Sequence, residues 1–281
     1  MNTTSLQINL NNRLHDLSSP IVMGIINVTP DSFFNGNRFM TEKSILNAAE
    51  KMIQDGVSII DIGGYSTRPN AEHVTQEEEI KRVSEGLEVI LKKYPHIPIS
   101  VDTFRSGVVR ELSKNFPVAM INDISGGTLD DLMFETIADL QIAYVLMHTR
   151  GTPQTMQSNT QYENVIAEVM RFLEIRLSRL RLLGVKDVVI DPGFGFAKTL
   201  EQNYTLLRKL RYFKELNVPI LAGLSRKSML YNLLQTDAEN ALNATTAVNM
   251  LALTEGVSIL RVHDVKEAVQ AVTVFKKYNQ S

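Results

Sequence analysis

Side chains able to do chemistry stand at or near the ends of short apolar runs. Asn27 follows IVMGII, Asp102 ends IPISVD, Asn122 sits in VAMIND, His148 ends IAYVLMH, Asp191 sits in VVIDP, and Arg261 and His263 lie in SILRVHD. Two carboxylates and an amide that converge can read a flat heterocycle with an aminopyrimidine edge. Each carboxylate accepts two parallel N–H bonds, and the amide both donates and accepts. Either acid alone can equally serve a turn or cap, Asp102 through Thr103. Arg261 and His263 are two apart, hence on one side of an extended strand. SRKS (225–228) places Arg226 and Lys227 where a helix should begin. Lys, Arg and His converging at a helix N-terminus suit a diphosphate. Arg226 has a second reading, as a structural cation paired with a carboxylate outside the pocket.

The loops add further candidates. NVTPDSFFNG (27–36) is rich in turn formers and polar groups and cannot itself be core. GGYSTRP (63–69) has glycines that allow close backbone approach, a proline that stiffens its end, and Arg68, which can bind a carboxylate or a phosphate. It also reads as a plain surface loop. In DPGFGFAKT (191–199), Phe194 or Phe196 can stack on an aromatic substrate or pack as core. His148 is as readily a hydrogen-bonded structural group as a catalyst. HExxH is absent, so a protein-caged zinc is not expected. A hard Mg²⁺ held mainly by phosphate oxygens, with one or two side-chain oxygens, fits the inventory.

Elements of one kind must position these groups. The runs at 21–26, 57–63, 97–102, 118–123, 142–148, 188–192, 218–224 and 258–264 are mostly continuous rather than alternating, which suits parallel strands covered on both faces. Helix-length segments separate them: 41–54, 75–94 (opening on the capping pattern TQEE), 107–115, 130–140, 162–183, 200–216, 238–255 and 266–278. Alternating strands and helices make right-handed βα units, and about eight of them close a (β/α)8 TIM barrel. An open doubly wound sheet is the alternative, but no GxGxxG follows an early strand. In a barrel all the strand ends above lie on one face, with mobile βα loops around them. The chain (1–281) reads as a single barrel domain, its first ~18 residues a peripheral extension.

Composition narrows the partners. The 281 residues are 44% hydrophobic and 21% charged, with a formal net charge of -2 and no cysteine. No basic face points to nucleic acid. Disulfides, thiolate nucleophiles and cysteine-based zinc sites are excluded. The N-terminal stretch lacks the pattern of a signal peptide, and no window approaches the ~18 apolar residues of a membrane span. A cytoplasmic protein with no membrane partner is expected.

GIINVTPDSF, IDIGGYSTRP, ISVDT, INDISGG, MHTRGTP, DPGFGFAKT, SRKS and RVHDVKEA, in this order from about Val22 to about Ala271, resemble the dihydropteroate synthases. The resemblance implies a pterin-binding TIM barrel that joins (7,8-dihydropterin-6-yl)methyl diphosphate to 4-aminobenzoate in folate biosynthesis. It also implies a homodimer, Mg²⁺ as cofactor, and a sulfonamide target. By motif position, Asn27 contacts Mg²⁺ and the diphosphate. Thr67 and Arg68 lie near the diphosphate and aminobenzoate. Asp102, Asn122 and Asp191 hold the pterin, with Lys227 on its ring and Met147 lining the pocket. Arg261 and His263 bind the departing diphosphate with backbone around Val262, and Phe196, Ser228 and Pro69 border the aminobenzoate. The sequence departs from the common family pattern at Asn35 (usually Asp), Tyr65 (usually Glu), Asn70 (usually Gly) and Ala197 (usually Gly). Two other functions compete. A methyltetrahydrofolate:corrinoid methyltransferase shares the barrel and the paired acids but needs no diphosphate site. A catalytically silent pterin-binding paralogue is kept open by Asn35.

Overall fold

A computed structural model describes residues 6–29, 42–65, 74–152 and 154–280. A hairpin of β1 (Gln7–Leu10) and β2 (Arg13–Asp16) precedes a parallel sheet. Its strands are β3 (Ile21–Asn27), β4 (Ile59–Gly63), β5 (Ile99–Asp102), β6 (Val118–Asp123), β7 (Ala143–Met147), β8 (Val188–Asp191), β9 (Leu221–Ala222) and β10 (Ile259–Val262). The spatial order is β8-β7-β6-β5-β4-β3-β10-β9. A parallel bridge between Ile190 and Ile220 joins the two edges, so the eight strands close as a barrel. Around it run α1 (Glu42–Gln54), α2 (Gln76–Lys93), α3 (Ser106–Asn115), α4 (Met133–Leu140), α5 (Val165–Leu182), α6 (Leu200–Arg208), α7 (Ser228–Tyr231), α8 (Leu242–Thr254) and α9 (Val265–Gln280).

Two apolar layers hold the barrel. Residues facing outward from the strands, such as Val22, Ile60, Ile121 and Leu260, pack with the helices. Residues facing inward near the strand starts, among them Met23, Ile59, Met120, Val189, Leu221 and Ile259, form a separate cluster. The hairpin completes that cluster. Ile8, Leu10 and Leu17 are buried in it, so the segment read from sequence as a peripheral extension plugs the bottom of the barrel. Upward from this plug, inward positions alternate along each strand and become polar at the mouth.

Helix boundaries follow local hydrogen bonds. Thr75 accepts from Glu78 N at the start of α2, as TQEE suggests. Thr199 and Gln202 form a full capping box on α6. Asn164 caps α5 by accepting from Ile166 N and Ala167 N, which starts that helix later than the apolar pattern alone indicates. The segment 200–216 is not one helix. After Arg208 it tightens to a 3₁₀ helix, Leu210–Leu216, ending on left-handed Asn217. The seventh barrel strand is only two residues long: Pro219 brings no N–H to the ladder and leaves Leu221–Ala222 as the paired part.

Candidate active site

The barrel register brings the polar strand ends together. Asn27, Gly63, Asp102 and Asn122 are lateral neighbours across β3, β4, β5 and β6. Across the mouth, Met147 on β7 pairs with Asp191 on β8. Glycine at 63 is what lets its neighbours close in. A Cβ there would lie 3.2 Å from Asp102 Cβ and 3.7 Å from Asn27 Oδ1.

Arg261 occupies the centre. Its Nε donates to Asp61 Oδ2 at 2.7 Å and its Nη2 donates to Asp102 Oδ2 at 2.6 Å. Asn122 Nδ2 donates to the same Asp61 oxygen at 3.2 Å, while the other oxygen of Asp61 is buried with no protein partner. Burial works against the Arg261 charge, but Asp61 and Asp102 outweigh it and hold the guanidinium above its ordinary range. Burial lifts the Asp102 carboxyl to about 7, against the pull of Arg261 and with the push of Asp61 and Glu79. Two acids sharing one arginine fork make a negatively biased floor that takes up a proton readily.

The opposite wall is a lysine on a loop. Asp191 is buried and accepts from Gly193 N at 2.7 Å. Burial raises its carboxyl, and Lys227 opposes that shift. Lys227 precedes α7 and donates to the Phe194 carbonyl, with its ammonium 4.6 Å from the centroid of the Phe196 ring. Burial lowers that ammonium to about 8, against the pull of Asp191. Of the two phenylalanines open to either role, Phe194 is fully buried core and Phe196 is only partly covered, its face turned to Lys227.

Most positions read from the sequence therefore share one mouth: Asn27, Asp102, Asn122, Met147, Asp191, Phe196, Lys227 and Arg261. Ser228 opens α7 beside them. His263 is exposed just past β10, its backbone N–H bonded to Ser225 Oγ. The Val262 side chain packs in the outer layer, so only its backbone is offered to a ligand. Arg261, expected at the leaving group, is held by Asp61 and Asp102 through Nε and Nη2, and Nη1 is the nitrogen committed to neither. Thr67, Arg68, Pro69, Asn35 and Asn70 lie outside the described residues. Arg226 takes its structural reading, with a two-pronged bond to Asp264 at 2.9 Å each. His148 is a buried hydrogen-bonded group whose Nδ1 lies 3.1 Å from Lys198 Nζ.

Known proteins resemble this chain over most of its length. The family of pterin binding enzymes matches residues 23–263. Dihydropteroate synthase of Escherichia coli K12 is 42% identical over 264 residues, 92% of each chain. The chain belongs to the dihydropteroate synthase family. The solved structure of Yersinia pestis dihydropteroate synthase with a sulfonamide drug complex superposes with a TM-score of 0.92 at 34% identity, over 98% of this chain and 100% of that one. The Xanthomonas albilineans dihydropteroate synthase in complex with 7,8-dihydropteroate gives 0.86 at 35%, over 98% and 99%.

Of the four departures from the family pattern, Tyr65 and Ala197 have local accounts. Tyr65 is buried, packs edge-on to Phe104 at 5.2 Å and lies 5.3 Å from the Arg105 guanidinium, so an aromatic cluster stands where an acid is usual. Ala197 is left-handed at φ 50°, which strains it relative to glycine, and its methyl is fully buried in partial compensation. Asp61 is the site residue that sequence reading passed over. The signal was present: an acid inside the otherwise apolar run VSIIDIG, two residues before Gly63 and so on the same inward side. Among the described residues no three His, Cys, Asp or Glu side chains group to hold a metal. Asn27 supplies one hard oxygen donor, which fits an Mg²⁺ carried chiefly by phosphate oxygens and does not fit a metal caged by protein.

Proposed function

We infer that the chain condenses (7,8-dihydropterin-6-yl)methyl diphosphate with 4-aminobenzoate, giving 7,8-dihydropteroate and diphosphate in folate biosynthesis. The observation that carries this reading is the paired arrangement at the mouth: Asp102 and Asn122 with Arg261 on one side, Asp191 and Lys227 on the other. Facing acids and an amide match the donor-rich edge of a pterin, and the cations match its anionic leaving group.

In the reaction the methylene C–O bond breaks, and its electron pair leaves with the diphosphate. The pterin ring shares the resulting positive charge, and Asp102, Asp191 and Asp61 stabilise it from fixed positions. Lys227, Nη1 of Arg261 and His263 take up charge growing on the diphosphate, with backbone around Val262. Thr67 and Arg68 are assigned to the same task from sequence. The aryl amine, held beside Phe196 and Ser228, with Pro69 assigned to the same border from sequence, then forms the C–N bond and releases a proton. No covalent intermediate with the protein is needed, so positioning and charge stabilisation do the catalysis. Bound through Asn27 and substrate oxygens, Mg²⁺ would neutralise charge on the leaving diphosphate.

A homodimer and a cytoplasmic location belong to this reading. The dimer is supported by the exposed apolar side chains Leu251 and Val274 on α8 and α9, and by a groove of about 670 Å³ between those helices. Light scattering that finds only monomers at micromolar concentration overturns it. Among the described residues no helix is long and apolar enough to cross a membrane. Sulfonamides are expected to compete with 4-aminobenzoate. The deciding experiment is diphosphate release from the two substrates, with and without Mg²⁺. Turnover dependent on both substrates supports the reading, and binding of the pterin without turnover sinks it in favour of a silent pterin binder.

A further inference from the structure

A second lysine, outside the groups used above, is buried beneath the loop that follows β8. Lys198 Nζ donates to the carbonyls of Gly193 at 2.8 Å and Phe196 at 3.0 Å, and to His148 Nδ1 at 3.1 Å. The loop curls around this ammonium because Gly193, Gly195 and Ala197 are all left-handed, at φ 75°, 78° and 50°. Gly193 must be glycine: a Cβ would fall 1.9 Å from the His148 carbonyl oxygen. His148 Nδ1 accepts here because an ammonium can only donate. Burial first, then Lys198, Arg150 and Arg176, push its imidazole down to about 2, and its ring is braced edge-on against Phe172 at 4.8 Å.

The outer side of this loop carries three contacts to the site. Gly193 N holds Asp191, the Phe194 carbonyl holds Lys227, and the Phe196 ring lies under the Lys227 ammonium. A fourth bond, Gly195 N to Asn203 Oδ1 at 2.7 Å, ties the loop to α6. One buried cation thus pins the carbonyl of Phe196, the residue whose ring lies beside the Lys227 ammonium.

We propose that Lys198, clasped by the Gly193 and Phe196 carbonyls and by His148, is a positioning residue that places the Phe196 ring for the aromatic carboxylate substrate. It rests on the function proposed above. A buried carbonyl cage without its cation loses charged hydrogen bonds and relaxes. The relaxation falls on the Phe196 segment: Asp102 and Asn122 are held from other strands, Asp191 by its strand pairing with Met147, and Lys227 by the start of α7.

The test compares steady-state kinetics of Lys198→Met with the parent. Methionine keeps the apolar stem and removes the ammonium. The KM for 4-aminobenzoate should rise about 10- to 100-fold, while the KM for the pterin diphosphate moves by less than about threefold. His148→Phe, which keeps a ring against Phe172, removes one acceptor of three and leaves the two carbonyls in place, should raise the same KM by a smaller factor. If Lys198→Met does not fold, His148→Phe carries the test alone. Equal changes in both KM values, or a loss confined to kcat, would overturn the proposal. So would a folded variant with both KM values unchanged. Absence of turnover in the parent enzyme overturns the functional reading instead, so the two failures are distinct.

Discussion

At the scale of the residue, neighbouring cations of the same sequence motif do different work. Arg226 and Lys227 are adjacent, yet the backbone turns between them, with Arg226 left-handed at φ 54°. Arg226 faces outward to Asp264 and to the carbonyls of Ala238 and Glu239 at 2.7 Å each. Lys227 faces into the mouth. Arg226→Met should therefore cost about 1–3 kcal/mol of stability in urea unfolding and leave kcat/KM within about threefold. Lys227→Met should lower kcat/KM by about 100-fold or more with the smaller effect on stability. The reverse pattern would mean that the roles are exchanged. Asp61 yields a second prediction. Asparagine keeps its shape but removes the charge that Arg261 Nε meets at 2.7 Å, leaving the guanidinium to Asp102 alone. Asp61→Asn should weaken pterin diphosphate binding by about 10- to 100-fold, read by calorimetric titration, although Asp61 is fully buried. Unchanged affinity would show that Asp102 orients the arginine unaided.

At the scale of the element, the alternation of strand and helix was legible because parallel strands buried on both faces leave continuous apolar runs. Caps at Thr75 and Thr199 were legible too, since they depend on residues three apart. The hairpin was harder to read. Its strands are four residues each, and Leu14, 70% exposed, spoils the expected alternation. Its signal is the pair Asn11-Asn12, both left-handed at φ 52° and 61°, a turn that suits tightly connected antiparallel strands. What no local pattern reveals is that this hairpin covers the barrel floor, because its partners come from β3 through β10. Likewise Asp102 and Asp191 can be read as strand-end acids, but the arginine that ties Asp102 to Asp61 joins positions 159 and 200 residues from it. Leu10→Ala tests the plug. It removes a side chain 1% exposed and should cost about 2–5 kcal/mol in urea unfolding. Because the site lies at the other end of the barrel, kcat of the folded fraction should stay within about twofold. A cost below about 0.5 kcal/mol would mean that the hairpin is an ornament and not a floor.

At the scale of the whole molecule, closing eight strands gathers charge at one end of the barrel, and the gathering makes stability depend on pH. Asp102 has its carboxyl raised from 3.8 to about 7, chiefly by burial. Between those values the folded state keeps a proton that the unfolded chain has lost. Its contribution is therefore fully present below about pH 4 and is lost as pH rises towards 7. Lys198 and Lys227 are lowered from 10.5 to about 7 and about 8, again chiefly by burial. Above those values the folded state has shed protons that the unfolded chain still binds, so stability recovers as pH rises from 7 towards 10.5. The ligand-free site thus contributes least near neutrality, where a substrate bringing donors for the acids and anionic oxygens for the cations has most to offer. Partly exposed carboxylates with lowered values, such as Glu168 and Glu255, slope the other way on acidification, so the total curve hides the site. The difference between the parent and Asp102→Asn removes them. Across pH 4.5 to 7, the ligand-free parent should lose stability relative to Asp102→Asn, by at most about 1.4 kcal/mol per pH unit. Urea midpoints measured at several pH values give that difference directly. A difference that stays flat or grows in the parent's favour would place the Asp102 proton elsewhere in the Asp61–Arg261–Asp102 bridge. Saturating pterin diphosphate should flatten the slope, because a ligand that donates to Asp102 fixes its carboxylate across the whole window.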